Sequence, residues 1–117
     1  TAAPACAQTT GAQRLAGPSA ALLYRTEPAT VAVGQRFSVL VTVCPATAQT
    51  ELQALAVDAT MPQHRHGMNY VPTIAKLAPN QYRADGLLMH MPGRWQLQFA
   101  LRLDGRSEHL THDITVR

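Results

Sequence analysis

The chain has 117 residues, 46% of them hydrophobic, and a net charge of +3 with neutral histidines. That length holds one domain with a substantial core, and that composition excludes a disordered chain. Nine scattered arginines beside the single lysine Lys76 make no basic stripe, and 5% aromatics make no base-stacking platform, so nucleic acid is not expected as a partner.

Residues 1–20 are mostly Ala, Thr, Gln, Gly and Pro, which reads as an irregular N-terminal arm. Residues 21–117 read as the folded domain. Residues 21–25 and 30–33 are short β-like pieces divided by Glu27-Pro28. Residues 36–44 alternate, with Phe37, Val39, Val41 and Val43 on one face and Ser38, Leu40 and Thr42 on the other. Residues 52–61 repeat the pattern through Leu55, Val57, Ala59 and Met61. Residues 73–77 form a short candidate strand between Pro72 and Pro79, and residues 81–90 form another that ends at Pro92-Gly93.

The strongest alternation is Trp95, Leu97, Phe99, Leu101 and Leu103. Asp104-Gly105 follows, a dipeptide suited to a type I′ hairpin because both central residues take positive φ. Residues 108–116 close the series, with Leu110, Ile114 and Val116 on the apolar face. Seven to eight short strands with turn signals between them predict an all-β fold, an antiparallel β-sandwich.

Cys6 and Cys44 are an isolated pair without CxxC spacing, which reads as one disulfide and places the chain in an oxidising compartment. The bond would tie the arm to the strand ending at Cys44 and contribute about 3–4 kcal/mol. No apolar run reaches the roughly 18 residues of a membrane span. The sequence begins at Thr1, as a processed chain that has lost an export signal would.

Chemistry concentrates in two places. In residues 61–70, MPQHRHGMNY, extended backbone would project His64, His66 and Met68 to one side, with Met61 at the strand end. Imidazole with thioether suits copper: methionine sulfur favours Cu(I), and imidazole serves either oxidation state. Zinc prefers thiolate, imidazole and carboxylate, and no acidic residue lies in the stretch. The second cluster is Met89-His90-Met91-Pro92-Gly93, where alternation separates His90 from Met89 and Met91. His90 or Met91 would complete a shell begun by His64, His66 and Met68, if the two strand ends share a rim. Met61 and Met89 also fit core-filling roles. His109 reads as solvated; His112 shares parity with Leu110 and Ile114 and reads as an inward or rim histidine, with a supplementary ligand role as the alternative. None of Ser19, Ser38 and Ser107 sits in a nucleophile-elbow context, and no carboxylate pair is poised for acid–base chemistry, so no enzyme is expected.

With those motifs, residues 21–116 resemble the YtkA-like family of small exported bacterial domains. Met61, Pro62, His64, His66, Gly67 and Met68 match its first pattern, and Met91, Pro92, Gly93 and Trp95 its second. The resemblance implies an Ig-like sandwich, periplasmic or membrane-anchored in its precursor, near copper or cytochrome-oxidase functions. His66-Gly67-Met68 also resembles the His-x-Met elements of periplasmic copper chaperones, from which Met89-His90-Met91 departs. Two functions follow as expectations. One is a periplasmic copper-binding protein that holds the ion or delivers it to a periplasmic or membrane acceptor protein. The other is a non-metal Ig-like interaction module whose His/Met loop docks on a membrane or periplasmic complex.

Overall fold

A strand whose residues alternate between large apolar and polar buries one face and leaves the other in water. The computed structural model of the chain describes residues 12–17, 20–45, 52–63, 66–68, 70–78, 80–103 and 105–117. Among them the strands are β1 (Gln13–Ala16), β2 (Ala20–Glu27), β3 (Phe37–Pro45), β4 (Leu52–Met61), β5 (His66–Gly67), β6 (Thr73–Ala78), β7 (Gln81–Leu87), β8 (Gly93–Leu103) and β9 (Arg106–Val116). They form a five-stranded sheet, β1-β2-β3-β7-β6, and a four-stranded sheet, β5-β4-β8-β9. Every pairing is antiparallel. The architecture is an all-β sandwich, and no described helix is long and apolar enough to cross a membrane.

The alternating strands supply the interior. Val39, Val41 and Val43 of β3 face Leu55, Val57 and Ala59 of β4 and Trp95, Leu97, Phe99 and Leu101 of β8, all in one buried cluster. Trp95, Leu97 and Phe99 have no exposed surface. Full burial of such side chains contributes roughly 1.5–3 kcal/mol each, which makes β8 the spine of its sheet.

The structure departs from the sequence reading in four places. Gln13–Ala16, within the stretch read as an irregular arm, form β1 and pair with β2 from Gln13↔Tyr24 to Ala16↔Ala21. Their side chains are largely exposed, so no hydrophobic period announced them. Residues 30–33 are not a strand; the Val33 N–H donates to the Arg117 carbonyl instead of to a ladder. β7 ends at Leu87 and not at residue 90, after Gly86 at φ +86°. Finally, part of the stretch read as a loop after β4 returns as β5, with Met61↔His66 and Thr60↔Gly67 in register. The β8–β9 hairpin closes at Leu103↔Arg106, and Gly105 has φ +77° as its turn requires; Asp104 lies outside the described residues.

Candidate metal centre

The two His/Met motifs reach the same end of the sandwich because β4 leaves it where β8 enters. β4 pairs with β8 from Leu52↔Leu103 to Thr60↔Gln96, so the end of one strand lies beside the start of the other. A side chain added at Gly93 would begin 3.0 Å from Met61 Cε. Gly93 has φ +127°, which L side chains rarely adopt, so this position holds the close approach and the turn together.

The segment between β7 and β8 is fixed from both sides. The Gly34 N–H donates to the Met89 carbonyl at 2.9 Å. Trp95 Nε1–H donates to the Met91 carbonyl at 2.9 Å, from a ring that is itself fully buried. Met89 is completely buried, His90 is exposed, and Met91 is half-buried against the core. His90 and Met89/Met91 therefore do fall on opposite sides, as alternation implied. The His90 ring meets Trp95 edge-on, with centroids 5.5 Å apart and planes at 81°.

Across the rim, the Met68 N–H donates to the Ala59 carbonyl at 3.2 Å, and Met68 packs half-buried against the core. His66 is placed by its backbone opposite Met61. His64 lies outside the described residues. Met61 and Met89, at 2% and 0% exposure, are core-filling side chains. Among the described residues no group of three or more His, Cys, Asp and Glu converges in a metal-holding arrangement. The structure places His90 and Met91 just before β8, and His66 and Met68 on and just after β5, at the same end of the sandwich with β4 between the two strands.

His112 lies on β9 and reaches β2. Its Nδ1 and the Tyr24 hydroxyl share a hydrogen bond at 2.5 Å, and the rings meet edge-on at 5.6 Å. Burial pushes the Tyr24 phenol up to about 12, so it stays protonated at neutral pH. The pair lines a cleft of about 320 Å³ between β2 and β9, whose lining includes neither Met61 nor Met91. His112 is thus a half-buried, hydrogen-bonded histidine.

Cys44 is buried at the end of β3, and no free cysteine occurs among the described residues; Cys6 lies outside them. Sequence reasoning missed the apolar setting of the rim. Val33, Tyr70 and Val71 are exposed there, Val71 almost fully, and the Arg36 guanidinium lies 5.6 Å over the Tyr70 ring. These residues carry no period, and single exposed apolar side chains are ordinary in any chain. On the outer face of the larger sheet, Ser38 Oγ–H and Arg83 Nε–H both donate to Asp85, holding its carboxyl below the usual range. Arg83 also reaches Glu27 at 3.2 Å, which makes this an ion-pair network on an open face.

No family model matches the chain, and no curated protein matches it. Among solved structures it is similar to a DUF4785 family protein from Legionella pneumophila, with a TM-score of 0.60 and 10% identity. The match covers 84% of this chain and 28% of that one, so the chain spans under a third of the structure it resembles. At that identity the likeness concerns the fold alone.

Proposed function

We propose that the protein is a periplasmic copper-binding protein whose site is the His/Met rim, with His64, His66 and Met68 as principal ligands and His90 or Met91 completing the shell. The observation that carries this reading is the junction of the two motifs at Met61 and Gly93. It sets the exposed His90 and the half-buried Met68 and Met91 at one end of the sandwich. A soft sulfur at the edge of an apolar core, next to imidazole, suits Cu(I), while imidazole alone serves Cu(II). An open rim suits a carrier, because an acceptor protein can take the ion by ligand exchange. The reading assigns no catalysis. It includes a Cys6–Cys44 disulfide, consistent with the buried Cys44, and hence export to an oxidising compartment.

A second reading rests on exposed Val33, Tyr70 and Val71 at the same end. There the rim is the docking surface of an Ig-like interaction module, and the methionines give it adaptable apolar contact.

An anaerobic Cu(I) titration against a competing chromophoric chelator, paired with a Cu(II) titration, separates the two. The copper reading expects stoichiometric binding that disappears in the His64→Ala/His66→Ala double variant while the fold is retained. Undiminished uptake by that variant removes the site assignment, and absence of competition in either oxidation state favours the interaction module.

A further inference from the structure

Each sheet of a sandwich ends in two edge strands whose outward N–H and C=O groups invite pairing, and proteins usually blunt such edges. Three of the four edges here are blunted. β1 has four residues and β5 two. β6 carries Lys76, is flanked in sequence by Pro72 and Pro79, and has a register break between Lys76 and Ala78.

β9 is different. It has eleven residues, RSEHLTHDITV, with charges at Arg106, Glu108 and Asp113 but no proline or lysine, and pairs with β8 in unbroken register from Gly93↔Val116 to Leu103↔Arg106. Among the described residues no strand pairs with its other edge. The Val33 N–H reaches only the Arg117 carbonyl, just past its end.

We propose that this edge pairs with β9 of a second copy of the chain, antiparallel about a two-fold axis at Thr111, joining two four-stranded sheets into one of eight. Thr111 is the midpoint of Arg106–Val116, so this register alone gives every residue of the strand a partner. It also matches the exposed side chains. Ser107, His109, Thr111, Asp113 and Thr115 all lie exposed on the outer face of the sheet. The two-fold sets His109 opposite Asp113, twice by symmetry, with Thr111 opposite itself and Ser107 opposite Thr115. An imidazole facing a carboxylate and hydroxyl facing hydroxyl are favourable cross-strand pairs. Within the chain His109, Thr111 and Asp113 face Ala100, Gln98 and Gln96 on β8, so neither ionisable group has a charged residue directly opposite; Arg102 and Arg94, opposite Ser107 and Thr115, are their diagonal neighbours. A self-complementary patch of this kind is what an isologous dimer needs.

Sedimentation velocity and light scattering across a wide concentration range test it on the full chain. The expected result is a reversible monomer–dimer equilibrium. His109→Asp, which sets Asp against Asp at both pairs, raises the dimer dissociation constant about tenfold. Adding Asp113→Lys to that variant restores opposite charges in the same register and returns the constant toward that of the parent. Both side chains are exposed, so circular dichroism and thermal unfolding remain those of the parent. A chain that stays monomeric throughout overturns the proposal. So does a dimer indifferent to His109→Asp, which would use another surface, or a double variant as weak as the single one.

Discussion

His90 and His112 both rest against an aromatic side chain, yet their surroundings differ. His112 lies half-buried between the sheets, with Nδ1 taken by a phenol that burial keeps protonated up to about 12. His90 is exposed at the sandwich end and meets Trp95 with the two rings edge-on. The methionines divide in the same way: Met61 and Met89 are sealed in the core, whereas Met68 and Met91 sit half-buried at its surface. Residue type alone did not separate them. Depth did.

The largest break in this comparison comes from the residue supporting the rim. Trp95 is fully buried and its indole N–H holds the Met91 carbonyl. Trp95→Ala should lower stability by about 3–5 kcal/mol in denaturant unfolding, since it leaves a cavity and an unpartnered carbonyl. On the proposed copper reading, binding at the rim should weaken with it, even under conditions where the variant remains folded. Unchanged binding in a folded Trp95→Ala protein would show that the 88–92 segment contributes nothing to the site.

The cleft side gives a smaller, pH-dependent effect. The unfolded tyrosine loses its proton near 10, while Tyr24 in the fold holds its proton to about 12. Between those values the unfolded chain binds fewer protons, so stability falls as pH rises, by roughly 2–3 kcal/mol across the window, and is fully present below it. Tyr24→Phe should remove this part of the alkaline loss while leaving the rim unchanged. An alkaline stability profile identical in the parent and Tyr24→Phe would contradict the burial of the phenol.

These outcomes trace which parts of the fold were legible. The inner faces of β3, β4 and β8 were written in strict alternation, and burial follows it residue by residue from Leu55 to Met61 and from Trp95 to Leu103. β1 was not legible, because its exposed side chains bury little and its place depends on pairing with β2. The inward parity of His112 was readable, but not its partner Tyr24, which lies 88 residues away on the other sheet. At the rim, the motifs were visible, while their junction depended on β4 and β8 being neighbours, a property of topology. His64 lies outside the described residues and His66 is placed only by its backbone, so the imidazoles that began the copper argument rest on sequence.

The finest division is between the two methionine classes. Met68→Leu and Met91→Leu keep an apolar side chain of similar volume at half-buried positions, so each should change stability by less than about 1.5 kcal/mol. If the sulfurs are ligands, the paired variant should weaken Cu(I) binding by about tenfold or more, because the chelator competes against a site without its soft donor. Cu(II), held by imidazole, should be affected much less. The contrast in oxidation state matters more than the size of either loss. A general disturbance of the rim would weaken both ions together, and a rim whose methionines only pack would weaken neither. Only ligation by sulfur separates Cu(I) from Cu(II) while stability remains near that of the parent.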